Sequence, residues 1–214
     1  MKKRIFITAT NTDIGKTYTT ELLLRELTRR GHKVGIVKPI ETGVVDGVYP
    51  DGDLLLRLLK ECNPQAWSLE VSDVVPIAYE LPAAPAVASG FSPVDFSKIQ
   101  KAIEAQELLC DVLLIEGAGG LFVPIEGDYM MLDLIKQTNA FALLVTHCSL
   151  GCINDTLVHK EALGSCNIAH EVVFNCRDEE QDGFNKISLP YFSQKFQDVF
   201  TTKDIALLVT KMGF

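Results

Sequence analysis

The stretch with the most evident chemistry is TATNTDIGKT, residues 8–17, which ends in glycine, lysine and threonine. Glycine lets a backbone approach a phosphate closely, lysine adds a compact positive charge, and a threonine hydroxyl can coordinate magnesium. The usual spacing GxxxxGKS/T would place a glycine where Thr10 stands. The sequence therefore predicts a nucleotide site whose first residues differ from the common pattern.

Two further charged residues come at the ends of apolar segments. Lys38 follows KVGIV, and Glu116 follows DVLLI. In open α/β sheets, ligands bind where parallel strands end at their carboxyl side. A lysine there is either a solvated strand-end charge or a working cation, and its place beside a phosphate loop favours the second role. Glu116 could cap a turn, but a strand-end acid beside such a loop usually meets magnesium directly or through water.

Short apolar segments alternate with segments whose apolar residues recur at helical spacing, which predicts an α/β fold with a mostly parallel sheet and helices on both faces. The expected strands are RIFITA, KVGIVKP, DVLLIEG, FALLVTH and AHEVVFN. The expected helices are TYTTELLLRELTRRG, DLLLRLLKEC, DFSKIQKAIEAQELL and NDTLVHKEALGSC. The proline-rich segment ELPAAPAVASG cannot form a long helix, so it is expected to wrap the sheet edge or line a pocket.

The composition indicates one globular domain over residues 1–214, with 47% hydrophobic residues and a formal charge of -8. The only basic run is Lys2, Lys3 and Arg4, so a nucleic-acid or anionic-membrane partner is not expected. No segment predicts a signal peptide or a spanning helix, and we expect a cytoplasmic protein. The six cysteines are expected to be reduced core thiols rather than zinc ligands or disulfides: Cys62, Cys110, Cys148, Cys152, Cys166 and Cys176.

Four motifs resemble those of the dethiobiotin synthetase family. TATNTDIGKT resembles that family's GTDTxVGKT, and KPIETG, residues 38–43, resembles its KPxxSG. EGAGG at 116–120 and LGCIN at 150–154 match the family's motifs as they stand. The four occur in order over roughly the first 175 residues, and together they are far more specific than any one alone.

The resemblance implies a P-loop NTPase-like fold, ATP with Mg²⁺, and closure of a ureido ring on 7,8-diaminononanoate with carbon dioxide. Lys16 and Lys38 would neutralise the carbamate and the transferring phosphoryl group, with Thr12 touching the diamine. It also implies a homodimer with shared active sites, in which LGCIN holds the tail carboxylate of the diamine across the interface.

The implied site residues fall into three sets. The nucleotide would be bound by Asp13, Ile14, Gly15, Lys16, Thr17, Tyr18, Asp53, Glu116, Gly117, Ala118, Gly119 and Asn175. The other substrate would be bound by Thr12, Lys38, Thr42, Leu150, Gly151, Cys152, Ile153 and Asn154, with Asn154 at the helix cap. The metal would be held by Thr17, Asp53 and Glu116; Asp53 could instead simply cap its helix, and Asp51 is the less favoured alternative.

Two other functions remain as alternatives. A P-loop switch of the partitioning or septum-placement type would carry a second lysine near the loop start, where this chain has Ala9, Thr10 and Asn11. An amide-forming ligase of the related kind would need a glutaminase domain for which the chain has no length. No Ser/His/Asp nucleophile arrangement is apparent, both site lysines are expected to face solvent, and the short C-terminal segment predicts only a modest preference for ATP over GTP.

Overall fold

The computed structural model describes residues 3–214, so Lys2 of the basic run lies outside the described residues. Within that range, six strands form one parallel sheet in the order β10-β9-β8-β1-β5-β2. Two small sheets, β3 with β4 and β6 with β7, lie outside it. The strands are β1 (Lys3–Ala9), β2 (Val34–Val37), β3 (Glu41–Thr42), β4 (Ala78–Tyr79), β5 (Val112–Gly120), β6 (Pro124–Glu126), β7 (Tyr129–Met130), β8 (Phe141–His147), β9 (His170–Asn175) and β10 (Phe200–Thr201).

Helices cover both faces of the large sheet, as the alternation of segments predicts. They are α1 (Lys16–Arg29), α2 (Gly52–Cys62), α3 (Val71–Val74), α4 (Pro85–Ala88), α5 (Phe96–Glu107), α6 (Met131–Thr138), α7 (Cys152–Ser165), α8 (Asp178–Gly183), α9 (Leu189–Lys195) and α10 (Ile205–Lys211). A π-helical segment, Phe184–Ser188, joins α8 to α9. In the described part of the chain, no helix is both long enough and apolar enough to cross a membrane.

The core has two halves, one on each face of the large sheet. Along β1, Ile5 and Ile7 belong to one half and Phe6 to the other, and all three are at most 1% exposed. Successive side chains of a strand point to opposite faces, so a strand covered on both sides must be apolar at every position. This is why the five long sheet strands read as continuous apolar runs.

The order of the strands explains where the motifs meet. β1 lies between β8 and β5, and β2 pairs with β5 on its other edge. All these pairings are parallel, so the carboxyl ends of four adjacent strands reach the same edge of the sheet. The four motifs lie at these carboxyl ends: residues 8–17 begin in the last residues of β1, residues 116–120 form the end of β5, and residues 38–43 and 150–154 come after β2 and β8. This edge is the expected place for a ligand.

The C-terminal part adds elements beyond the expected strands and helices. Leu189 and Pro190 begin α9. Proline fits the first turn of a helix because its missing N–H would have no intrahelical partner there. The edge strand β10 comes later and pairs with β9 only through Phe200 and Thr201.

Candidate active site

The phosphate-binding loop joins β1 to α1, and its backbone adopts a conformation that favours glycine. Gly15 precedes α1 and lies in the left-handed region, with φ 97°. Asp13 also has a positive φ, of 56°. A Cβ added to Gly15 would come within 2.1 Å of the side-chain nitrogen of Asn175. Both the conformation and the lack of space therefore require glycine at this position.

A cluster of charged and hydroxyl groups lies beneath the loop, where β2 and β5 approach each other. Lys38 Nζ donates to Asp51 Oδ2 at 2.6 Å and to Glu116 Oε1 at 2.9 Å. Thr17 Oγ1 is 3.0 Å from Asp51 Oδ1 and 2.9 Å from Glu116 Oε1, and it can donate to either. Thr20 Oγ1 lies 2.6 Å from Glu116 Oε2. The two carboxylates, one ammonium and two hydroxyls form one network.

Lys38 is buried, which corrects the expectation that it faces solvent. It is 3% exposed, and Glu116 beside it is 0% exposed. Burial alone would lower the pKa of Lys38, but the charges of Glu116 and Asp51 outweigh burial and raise its pKa above the ordinary value. Burial likewise opposes ionisation of Asp51, yet Lys38 keeps the pKa of Asp51 below its usual value. The ammonium therefore bridges the two carboxylates, and its charge favours the ionised form of Asp51.

Lys16 is also buried, at 8% exposed, so the expectation of a solvent-facing side chain is wrong here too. Its Nζ is 3.5 Å from the carbonyl oxygen of Asn11. Burial, and after it the charge of Lys38, lowers the pKa of Lys16. An ammonium in this condition gains more than an exposed one when an anion such as a phosphate arrives beside it.

Asp51, and not Asp53, reaches the cluster. The carboxylate of Asp53 accepts the backbone N–H of Tyr49 at 2.8 Å and is exposed on α2. Helical spacing explains the difference, because residues two positions apart at the start of a helix point their side chains to different faces. The preference for Asp53 over Asp51 does not agree with this geometry. Among the residues that the structure describes, no group of three His, Cys, Asp or Glu side chains converges as a metal site would require.

A cleft of about 710 Å³ opens above the loop and the cluster, within the size range of small-molecule sites. The expected residues that line it are Thr12, Asp13, Gly15, Lys16, Thr17, Lys38, Thr42, Ala118 and Gly119. Pro82 to Pro85 line it as well, which confirms that the proline-rich segment borders a pocket. Gly117 packs on the other side of β5, where an added Cβ would be 2.8 Å from the ring of Phe6.

Sequence reasoning missed several residues of the cleft wall. Ile40, Glu41 and Val123 line it, and none of them was predicted there. Asp51, the less favoured alternative for the metal site, lines it too. Glu41 occupies one of the two unspecified positions of KPxxSG, so the motif gave no signal for it. Its carboxyl is 2% exposed, and burial raises its pKa although backbone N–H groups and Lys38 oppose that effect.

The LGCIN loop does not place Asn154 at the cap of α7, where it was expected. Gly151, with φ 104°, is the cap residue of α7, and Asn154 lies inside the first turn. The Cys152 N–H donates to the Ser149 carbonyl at 3.1 Å, so it is not a free donor. Leu150 is 91% exposed. None of residues 150–154 lines the cleft of its own chain.

A Ser–His–Asp arrangement adjoins this loop, although none was apparent from the sequence. His147 Nδ1 is 2.5 Å from Ser149 Oγ, and its Nε2 is 3.0 Å from Asp155 Oδ2. The three residues come from the end of β8, the following turn and the first turn of α7. The hydrogen bond to His147 lowers the pKa of Asp155. These contacts tie the loop to the helix that follows it.

Two cysteines also depart from the expectation of reduced thiols. Cys148 and Cys176 form a disulfide, with 4.9 Å between their Cα atoms. They directly follow β8 and β9, which are neighbours in the sheet, so the topology brings together two residues 28 positions apart. Sequence spacing alone gave no indication of this pairing.

Asn175, expected among the nucleotide-binding residues, supports the phosphate loop on the side away from the cleft. Its amide nitrogen donates to the Ile14 carbonyl at 2.9 Å. Its oxygen lies 3.3 Å from Thr202 Oγ1, which can donate to it. The contact with a base remains a prediction, because the described contacts of this amide are with the protein itself.

The family comparison gives consistent matches over most of the chain. A family model described as an AAA domain matches residues 3–209. The chain is 42% identical over 200 residues to the ATP-dependent dethiobiotin synthetase of Sulfurovum sp. (strain NBC37-1), covering 94% of each chain. It is 37% identical over 201 residues to that of Wolinella succinogenes, covering 92% of each. It is 36% identical over 179 residues to that of Methanocaldococcus jannaschii, covering 80% of this chain and 79% of the relative.

Solved structures share the fold at low identity. A plasmid partition protein from Borrelia burgdorferi aligns with a TM-score of 0.57 and 9% identity over 99% of both chains. A GTPase from Pyrococcus abyssi in its apo form aligns with a TM-score of 0.55 and 14% identity, over 89% of this chain and 73% of the GTPase. At such identities the likeness concerns the fold alone, which is P-loop NTPase-like.

Proposed function

Because the chain belongs to the ATP-dependent dethiobiotin synthetase family, we propose that its cleft closes a ureido ring on 7,8-diaminononanoate with carbon dioxide, yielding dethiobiotin. One amine adds to carbon dioxide and loses a proton, giving a carbamate. ATP phosphorylates the carbamate to a mixed anhydride and leaves as ADP. The second amine attacks the carbonyl carbon, the ring closes and phosphate departs.

One observation carries the assignment of roles: two buried lysines, Lys16 and Lys38, lie at the base of a single cleft beside a phosphate loop. The substrate's own amines are the nucleophiles, so the protein's task is to position the reactants and neutralise charge. Lys16 would neutralise the transferring phosphoryl group and Lys38 the carbamate. Thr12 and Thr42 would contact the diamine from the cleft wall.

The donor set fits Mg²⁺. Thr17 offers a hydroxyl, and Asp51 and Glu116 offer carboxylates within 3.0 Å of it. Magnesium prefers such oxygen ligands and usually takes only one or two carboxylates, with water and phosphate completing its shell. We therefore assign Thr17, Asp51 and Glu116 as the residues that would hold the ion. Bound there, Mg²⁺ would offset the negative charge of the nucleotide phosphates.

A pair of variants tests this assignment, because two similar carboxylates lie two residues apart at the start of α2. Asp51→Asn should raise the Mg²⁺ concentration for half-maximal turnover by about tenfold or more. Asp53→Asn, the matched control, should leave it within about twofold. The reverse ranking would return the metal role to Asp53.

We also propose a homodimer with shared sites. The support is an exposed apolar surface beside α7: Leu150 is 91% exposed, Phe122 53% and Val158 51%. Phe122 lies against His159 of α7, with ring centroids 6.1 Å apart. Since residues 150–154 do not line their own cleft, a partner's loop could bind the substrate tail there.

Mixing two inactive variants tests the shared site. Lys38→Met disables the cleft, and Gly151→Val disables the loop because valine strongly disfavours φ 104°. In a two-fold dimer, random mixing gives half heterodimers, each with one intact site, so about a quarter of wild-type activity should return. If no activity returns after subunit exchange, each site belongs to one chain.

The function is tested by measuring phosphate release and dethiobiotin formation together. Purified protein with Mg²⁺, bicarbonate and ATP should release little phosphate until 7,8-diaminononanoate is added, because the diamine provides the acceptor. Dethiobiotin should appear in a one-to-one ratio with phosphate. Brisk hydrolysis without the diamine, and no dethiobiotin with it, would favour the P-loop switch.

The remaining partners and the location complete the proposal. The net charge of -8 supports a protein that binds neither nucleic acid nor an anionic membrane. A cytoplasmic location is proposed on the use of ATP as co-substrate. Fractionation of cells that express the tagged chain would test it.

A further inference from the structure

Glu41 is a buried carboxylate in the cleft wall with a specific structural task. It is 2% exposed. One of its oxygens accepts the backbone N–H of Asp51 at 2.6 Å, and the other accepts that of Gly52 at 3.0 Å. These are the first N–H groups of α2, which have no partner within the helix. Glu41 on β3 therefore caps a helix that begins eleven residues later, at Gly52.

This capping leaves the side chain of Asp51 available for another role. Aspartate at a helix start normally turns its carboxylate back to the N–H groups of the first turn. Asp51 occupies the cap position of α2 but makes no such hydrogen bond. Its carboxylate instead contacts Lys38 Nζ and Thr17 Oγ1.

Gly52 shows how closely Glu41 fits the helix start. A Cβ at position 52 would lie 2.7 Å from Glu41 Oε2 and 2.6 Å from a methyl carbon of Val75. A side chain there would force the Glu41 carboxylate and the Val75 side chain to shift. The glycine and the buried acid thus form a complementary pair, and together they fix the backbone from which the Asp51 side chain extends.

We propose that Glu41 is a positioning residue for the reaction: by capping α2 it directs the Asp51 carboxylate toward Lys38 and Thr17. The inference rests on the proposed function, in which Asp51 helps to hold Mg²⁺ beside the nucleotide. Glu41 acts through Asp51, so its contribution should disappear when the Asp51 carboxylate is removed.

A double-mutant cycle tests this dependence without using turnover. Calorimetry measures the affinity for ADP with Mg²⁺ in the wild type, Glu41→Gln, Asp51→Asn and the double variant. Glutamine keeps the size of glutamate, but its NH₂ group would face one of the two N–H donors. Glu41→Gln should weaken binding about tenfold alone and less than twofold when Asp51→Asn is already present.

The control is Glu26→Gln, which removes another buried carboxylate that is held by Arg29 and Arg30 at the end of α1. It should alter thermal stability while leaving ADP affinity within twofold. If Glu41→Gln does not fold, Glu41→Asp provides the same cycle, since it withdraws both oxygens by one methylene group.

The outcomes separate the two claims. Equal losses in both Asp51 backgrounds, or no loss in either, would overturn the role of Glu41. A wild-type protein that binds ADP with Mg²⁺ but makes no dethiobiotin would overturn the proposed function instead.

Discussion

Removing the Lys38 ammonium should destabilise the protein, because Lys38 is the cation between two carboxylates. In Lys38→Met, a side chain of similar length replaces the ammonium, and Glu116 remains 0% exposed without its positive partner. Breaking a buried pair in this way usually costs about 3 to 5 kcal/mol. Glu116 keeps the hydroxyl contacts of Thr17 and Thr20, so we expect the lower end, about 3 kcal/mol.

Thermal unfolding followed by circular dichroism measures this cost. For a chain of this size, about 3 kcal/mol corresponds to a fall in Tm of roughly 6 to 12 °C. Lys98→Met on the exposed surface of α5 is the matched control, and it should shift Tm by less than about 2 °C.

Added Mg²⁺ should raise the Tm of Lys38→Met more than that of the wild type. In Lys38→Met the ion meets two carboxylates that lack a cation, whereas in the wild type it must compete with the ammonium. A ligand at a hundred times its Kd stabilises a protein by about 2.7 kcal/mol, which would recover most of the loss. An unchanged Tm in Lys38→Met, or equal stabilisation of both proteins by Mg²⁺, would refute this view of the cluster.

Three other measurements check separate parts of the structure. Lys16→Ala should lower kcat/KM at least about a hundredfold, or about 2.7 kcal/mol, with a smaller loss of Tm than Lys38→Met. If steady-state kinetics show that turnover is retained, Lys16 has no part in the mechanism. Hydrogen bonds from Arg29 and Arg30 lower the pKa of Glu26 to about 2 from an ordinary 4.5, so its stabilising effect is complete above that ordinary value and is lost as pH falls toward the lowered one. Glu26→Gln should therefore lower Tm by about 2 to 4 °C at pH 7, and unfolding curves that show the same deficit near pH 2 would contradict this. Since the Asn175 amide is engaged by the protein at both ends, ATP should be preferred over GTP by less than about a hundredfold, or 2.7 kcal/mol, and calorimetry that gives a larger ratio would contradict it.

The fold and the sheet edge that carries the four motifs could be predicted from the sequence, because both depend on local patterns. Continuous apolar runs identify strands that are covered on both faces, and Gly15, Lys16 and Glu116 were found where such runs end. The same reasoning failed for burial at the site. Lys38 at a strand end looked exposed, because pairing with Asp51 and Glu116 depends on two distant segments.

The sequence could not decide between Asp51 and Asp53 for a related reason. Each could begin α2, and local propensity assigns the cap to an aspartate. Glu41, from another element, takes over the capping and changes which carboxylate is directed to the cleft. The disulfide between Cys148 and Cys176 was missed likewise, since it depends on β8 and β9 being neighbours.

The position of β1 in the sheet has a consequence for how the protein is made. The phosphate loop lies within the first 17 residues, yet β1 pairs only with β5 and β8 among the described strands, and these begin at Val112 and Phe141. The amide that supports the loop from behind belongs to Asn175. A ribosome adds residues one after another, and long-range pairing is slow to form. The loop is therefore completed only after the chain as far as Asn175 has been synthesised, well after the loop residues themselves, and a nascent chain has no finished nucleotide site before that point.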